Sequence, residues 1–136
     1  MVRRVLVGVA VFSLWAAAAH AQPQIKKEPI KPVAASDGAA MFQSYCSACH
    51  GKAAMGDGPA ASALKKTPAD LTKLNARNGG KYPETKVKRY IEGLDEVPSH
   101  GSRDMPMWGE LFRALDRNTA QIRVQALSDY LKGLQK

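Results

Sequence analysis

The chain has 136 residues, of which 45% are hydrophobic and 24% are charged, and its formal net charge is +8. This length fits a single domain, and the sequence contains no internal repeat. No basic stretch is interleaved with aromatic residues, so nucleic-acid binding is not expected. The positive charge is suited to docking on an acidic partner or membrane surface, but it is equally compatible with ordinary solvated helix faces.

Residues 1–21 have the order of features of a secretory signal peptide. A positively charged start precedes an almost wholly apolar run over residues 5–19, and a small-x-small pattern ends at Ala21. The apolar run is shorter than the roughly 20 residues that span a bilayer as a helix. We therefore expect cleavage before Gln22 and export to the periplasm. The mature chain then has a formal charge of +6, because two arginines and no acidic residue are removed.

Residues 22–35 are predicted to be a flexible leader, since they contain three prolines among lysines and few large apolar groups. The folded unit is then residues 36–136. A domain of this size buries a limited core and often depends on a disulfide, a metal or a cofactor for stability.

The first half of this unit contains signals for two helices. Ser36 is a predicted N-cap for a helix that runs toward Cys46. Glycines and a proline enforce a loop over residues 51–59. A second, short helix is predicted from a cap at Thr67 to the glycine pair that begins at Gly79.

The second half contains two further helices separated by a long loop. Pro83 opens a helix that ends near Gly93, and residues 97–109 have no helical period. Asn118 is the predicted cap of the final helix. The apolar positions at helical spacing are, in the third helix, Val87, Tyr90, Ile91 and Leu94, and in the last, Ile122, Leu127, Tyr130, Leu131 and Leu134. No segment alternates like a strand, so we predict an all-α fold of four or five helices, with long loops that wrap a bound group.

The chemistry is concentrated in the run Cys46-Ser47-Ala48-Cys49-His50. Two cysteines three residues apart on a helix face the same way, and the histidine follows at once. This Cys-x-x-Cys-His pattern is the attachment signature of c-type haem. Each thiol can form a thioether with one vinyl group, while the imidazole binds the iron. We therefore predict one haem c, attached through two thioethers, with His50 as an iron ligand.

Three other uses of these residues are less consistent with the sequence. A thioredoxin-like pair requires a βαβ context that is missing here. A structural zinc site usually needs four ligands, and the mature chain offers only His100 as a further histidine or cysteine. A disulfide is chemically possible after export, but it leaves His50 and the long loops unexplained.

The second axial position of the iron has four possible occupants: Met105, Met107, His100 or no protein ligand. Met55 lies only five residues after His50, too near to reach the opposite face easily. The proline between Met105 and Met107 stiffens the loop, which suits a sulfur held at a fixed distance. A thioether ligand raises the reduction potential relative to a second histidine. Spacing alone does not choose between the two methionines.

The folded unit resembles class I cytochromes c, in particular small bacterial monohaem members that contain Met-Pro-x-Trp-Gly, as residues 105–109 do here. The resemblance covers most of residues 36–136. In that family the first and last helices cross at right angles, with a glycine that allows close approach. The matching positions here are Gly38, Phe42 and Cys46 in the first helix and Leu127, Tyr130 and Leu131 in the last.

The resemblance also implies roles for individual residues. It favours Met105 over Met107 as the sulfur ligand, because family members commonly carry that ligand just before a proline. It implies that the Pro59 carbonyl accepts a hydrogen bond from His50, which would fix the orientation of the imidazole. Trp108 is expected to pack near the haem edge, where its N–H needs a hydrogen-bond acceptor such as a propionate.

We therefore expect a periplasmic electron carrier that passes single electrons between a redox donor and a redox acceptor. The alternative is a permanently bound haem c subunit of a larger oxidase or dehydrogenase. No acid–base pair or activated nucleophile stands beside the attachment run, so neither an enzyme activity nor a small-molecule substrate is expected. Membrane association is expected only through a partner. Acidic docking surfaces on those partners would complement exposed lysines such as Lys52, Lys65 and Lys66.

Overall fold

The computed structural model describes residues 33–95 and 105–136, and this part of the chain is helical and contains no β-strand. The predicted signal peptide, nearly all of the leader, and His100 lie outside the described residues. The helices are α1 (Gly38–Met41), α2 (Ser47–His50), α3 (Glu84–Glu92), α4 (Trp108–Leu115) and α5 (Ala120–Gly133). A π-helical turn, Phe42–Cys46, joins α1 to α2, and short 3₁₀ turns cover Ala61–Ala63, Leu71–Lys73 and Ala76–Asn78. The predicted all-α class is confirmed.

The first helix begins one residue later than predicted. Asp37 is the N-cap, and its carboxylate accepts a hydrogen bond from the backbone N–H of Ala40 at 2.8 Å. The Ser36 assignment is therefore wrong. Both residue types cap helices well, so the choice depends on which side chain the folded backbone turns toward the free N–H groups.

The core lies where α1 and the π-turn cross α5. A Cβ atom on Gly38 would lie 2.1 Å from the carbonyl oxygen of Ala126, so the two backbones approach as closely as a glycine allows. The rings of Phe42 and Tyr130 follow, with centroids 5.4 Å apart. The buried hydrophobic side chains are Met41, Phe42, Ala54, Val87, Ile91, Phe112, Ala120, Val124, Leu127 and Leu131. The close approach expected at Gly38 is confirmed.

α3 follows its sequence signals closely. Pro83 is its N-cap, and Gly93 ends it in the left-handed conformation, with φ of +77°. Val87 and Ile91 are buried, as the periodicity predicts, but Leu94 is 58% exposed because it comes after the glycine has turned the chain away. The prediction of Leu94 as part of the buried stripe is wrong.

α4 occupies residues that the sequence did not mark as helical. It begins at Trp108, inside the predicted loop, and Phe112 is its fully buried residue. Its N-cap, Met107, makes no side-chain capping bond. The Ser, Thr, Asp or Asn residue that usually marks a helix start is missing here, so the sequence does not predict this helix.

α5 begins at Ala120, and the predicted capping role of Asn118 is wrong. The N-cap is Thr119, which makes no side-chain capping bond. The Asp116 carboxylate holds the turn before the helix, because it accepts hydrogen bonds from the Asn118 N–H at 2.9 Å and the Thr119 hydroxyl at 3.0 Å. Ile122 is 50% exposed, whereas Val124 is buried, so the buried stripe is displaced from the predicted one at this end of the helix.

The segment after Thr67 is also not a regular helix. Asp70 caps a 3₁₀ turn there, accepting hydrogen bonds from the Thr72 N–H at 3.0 Å and the Thr72 hydroxyl at 2.6 Å. Gly79 ends the next 3₁₀ turn in the left-handed conformation, as the glycine pair predicts. In the described parts of the chain, no helix is both long and apolar enough to span a membrane.

Candidate haem-attachment site

Cys46 is the last residue of the π-turn, and Cys49 lies in α2. Both thiols are free, and both side chains are half-buried. Burial, and secondarily the neighbouring Cys49, raise the pKa of Cys46 to about 12, so this thiol is fully protonated at neutral pH. Cys46 is therefore held as a neutral thiol at the start of the attachment run, and Cys49 lies three residues further on.

His50 ends α2, and its ring orientation is fixed by the backbone. Its Nδ1 lies 3.0 Å from the carbonyl oxygen of Ala69. A carbonyl can only accept, so Nδ1 carries the proton and Nε2 keeps its lone pair. Burial lowers the pKa of His50, although the bond to Ala69 opposes that effect. The neutral imidazole with a free Nε2 is the form that binds a metal ion.

The predicted role of Pro59 is corrected by this contact. The carbonyl that His50 meets belongs to Ala69, and Pro59 is exposed. Pro59 lies in a stretch whose amides face α2: the Gly58 N–H bonds to the Cys49 carbonyl at 3.1 Å, and the Ala60 N–H bonds to the Ala48 carbonyl at 2.9 Å. Those bonds use the free carbonyls at the end of the helix.

The 51–58 loop brings Ala69 to the histidine. The Leu71 N–H bonds to the carbonyl of buried Ala54 at 2.7 Å. A Cβ atom on Gly56 would lie 2.3 Å from the Pro68 carbonyl oxygen, so the loop and the 68–71 segment are in close contact. Gln135, which follows α5, holds this segment, since its amide donates to the Leu71 carbonyl at 2.8 Å. The partner of His50 is thus set by contacts between distant parts of the chain.

An aromatic cluster connects the attachment run to α4. Tyr45, the residue before Cys46, packs against Trp108 and Phe112, with ring centroids 5.4 and 6.0 Å away. Trp108 and Phe112 are themselves 6.4 Å apart. The structure therefore brings Trp108, predicted to lie near the haem, beside the attachment run.

The two candidate methionines differ in their surroundings. Met107 packs against the end of α3, because a Cβ atom on Gly93 would lie 2.6 Å from the Met107 Cγ. Met105 lies outside the helices and is 39% exposed.

These residues fit a covalently bound haem. Two free thiols three residues apart and a neutral imidazole with Nε2 available are the donors that the attachment signature requires. Within residues 33–95 and 105–136, no cluster of three or more histidine, cysteine or acidic side chains could hold a bare metal ion. The two thiols and the imidazole suit a macrocycle that brings its own four nitrogen ligands.

One comparison with known proteins gives a match. The family model described as "Cytochrome C oxidase, cbb3-type, subunit III" matches residues 33–122, which is more than half of the chain. No curated protein and no solved structure matches the chain.

Proposed function

The chain belongs to the cbb3-type cytochrome c oxidase subunit III family, and on that premise we propose that it works as a periplasmic carrier of single electrons between redox proteins. Membership in this cytochrome c family means that the chain holds a covalent haem c and transfers electrons, and that it is not an enzyme by itself. The fold is that of class I cytochromes c. Export and the free, shuttling form are the proposed parts.

The observation that carries the proposal is the way in which His50 is held. When bound, the haem iron supplies the one-electron couple between its ferric and ferrous states. Cys46 and Cys49 would hold the macrocycle through thioethers, and His50 would bind the iron through Nε2. The Ala69 carbonyl keeps the imidazole in one tautomer and one orientation, which also makes it a better ligand. A ligand held in this way changes little between the two oxidation states.

We infer that Met105 would supply the second protein ligand of the iron. Met107 is already packed against Gly93, whereas Met105 is 39% exposed and precedes the stiffening Pro106. The Met105→Ala variant should open the iron, and the reduced protein should then bind carbon monoxide. The Met107→Ala variant is the matched control and should keep the methionine–iron absorption band. Rapid carbon monoxide binding by the Met107 variant alone would reverse the assignment.

The proposed partners meet the protein through charge. Lys52 and Lys65 are exposed in the loops that follow the attachment run, and the mature chain has a formal charge of +6. Such a surface favours fast, weak and salt-sensitive association with an acidic partner, which suits a shuttle that must release after each transfer. The rate of electron exchange with a partner should fall as ionic strength rises.

The second candidate function is a haem c subunit bound permanently to an oxidase, and the family description favours it. Gel filtration of detergent-solubilised native membranes and of the periplasmic fraction discriminates between the two. A carrier should be recovered in the periplasmic fraction and elute near the size of the 136-residue chain or its processed form. Co-elution of all haem-stained chain with oxidase activity would replace the carrier by the subunit.

A further inference from the structure

The π-turn Phe42–Cys46 leads into the attachment run, ends at its first cysteine and contains one residue more than a regular helical turn. The backbone N–H of Ser47 bonds to the carbonyl of Phe42, five residues earlier, rather than to that of Gln43. Such turns are rare and are found mostly inside α-helices at functional sites.

The extra residue changes the face on which Cys46 stands. In an uninterrupted α-helix, residues four apart are offset by only about 40°. Cys46 would then follow Phe42, which is fully buried and packs against Tyr130 of α5. In the π-turn, the backbone bond from Ser47 to Phe42 aligns Ser47, instead of Cys46, with Phe42 along the helix axis. Cys46 is therefore rotated to a neighbouring face of the helix. Cys49, three residues later, shares that face.

The Ser47 side chain compensates for the displaced backbone bond. In an α-helix the Gln43 carbonyl would accept the Ser47 N–H, which here goes to Phe42. The Ser47 hydroxyl donates to that same carbonyl at 2.6 Å. The Gln43 side chain in turn donates to the Lys52 carbonyl at 3.2 Å, which fastens the turn to the loop that follows His50.

We propose that Ser47 is a positioning residue for haem attachment: its hydroxyl holds the π-turn and so sets the face on which Cys46 and Cys49 meet the two vinyl groups. The inference rests on the covalent haem and not on the identity of the redox partners. Ser47 lies between the two cysteines, but it touches neither the haem nor the iron in this role. It acts through the carbonyl of Gln43.

The test compares Ser47→Thr with Ser47→Val in the full chain, expressed with a haem-attachment system. These variants have the same branching and nearly the same volume, and they differ in the hydroxyl. The readout is the ratio of singly to doubly attached haem, measured by intact-mass analysis and by the pyridine haemochrome spectrum. This ratio does not depend on electron-transfer activity, so it stands even if the carrier function is wrong.

Ser47→Thr should keep double attachment. Ser47→Val should raise the singly attached fraction roughly fivefold, the factor expected from one neutral hydrogen bond. Ser44→Ala is the control, since Ser44 is exposed within the same turn. A lower yield of Ser47→Val with an unchanged ratio would mean a purely structural role and would overturn the proposal. Equal ratios in the Thr and Val variants would do the same.

If Ser47→Val yields too little protein for spectroscopy, haem-peptide mass analysis of Ser47→Ala provides the second measurement. The same rise in singly attached haem is expected for Ser47→Ala, and a ratio equal to that of Ser44→Ala would overturn the proposal. The reduction potential of the purified Ser47→Ala protein should also differ from that of Ser44→Ala, because loss of the turn geometry changes how His50 is presented.

Discussion

The contact between Gly38 and α5 permits a quantitative test of the helix crossing. Gly38→Ala would place a Cβ atom 2.1 Å from the Ala126 oxygen, 2.7 Å from the Ala126 carbon and 3.0 Å from the Tyr130 Cβ. The nearest of these atoms belong to the backbone, so a rotamer change cannot relieve the clash. The helices must separate by about 1.4 Å to reach an ordinary packing distance, because dispersion contacts need separations near 3.5 Å.

The expected cost follows from two opposing effects. Overpacking a close contact costs about 1–3 kcal/mol, occasionally more. Replacing glycine by alanine in a helix returns up to about 1 kcal/mol, but less at the first helical position, where Gly38 stands. The net loss should therefore be about 2 kcal/mol. For a folded unit of roughly 100 residues, this lowers Tm by about 8–16 °C.

The measurement is thermal and urea unfolding of the holoprotein, followed by far-UV circular dichroism. The covalent haem remains attached in both states, so the comparison is not complicated by cofactor loss. Gly133→Ala is the matched control, because Gly133 ends α5 and a Cβ atom there meets nothing within 4 Å. If Gly38→Ala is as stable as the parent, or if Gly133→Ala is destabilised equally, the close crossing is not as described.

Two further predictions concern the surroundings of the site. The hydrogen bonds from Thr72, together with Lys73, lower the pKa of Asp70 to about 2 from its ordinary 3.8, so the stability they give is present above pH 3.8 and is lost as the pH falls toward 2. Asp70→Asn should remove this part of the pH dependence. If the urea midpoints of the parent and of the Asp70→Asn variant fell by the same amount between pH 5 and pH 2, the prediction would be contradicted. Trp108→Ala removes ring contacts to Tyr45 and Phe112 and should cost about 2–4 kcal/mol in urea unfolding. Trp108→Phe should cost less, and equal losses would mean that the ring contacts are not what matters.

The sequence alone predicts those features whose determining residues lie close together along the chain. Cys46, Cys49 and His50 lie within five consecutive residues, and their spacing alone indicates the chemistry of haem attachment. Gly79 and Gly93 each end a helical turn in the left-handed conformation, which glycine adopts without steric cost. The family match agrees with the haem c prediction, while the Met-Pro-x-Trp-Gly subgroup stays a prediction.

Helix starts were less predictable, because neighbouring polar residues compete for the same role. Asp37 rather than Ser36 caps α1, and Thr119 rather than Asn118 is the N-cap residue of α5. Arg123 was also missed as a buried residue: its guanidinium donates to the Val33 carbonyl at 2.7 Å. A single arginine in a helical pattern is expected to be exposed, because arginine is seldom buried without a partner. The fold supplies that partner from a distant part of the chain.

The haem-attachment run shows most clearly which features the sequence predicts and which features only the tertiary structure sets. Its residues were readable in the sequence because covalent attachment demands fixed residue types at fixed spacing. The partner of His50 was not readable, since Ala69 contributes a backbone carbonyl, which every residue has, from 19 positions away. The π-turn before Cys46 is likewise a hydrogen-bond choice made by the folded backbone. The sequence determined which groups react, and the tertiary structure decided how they are aimed.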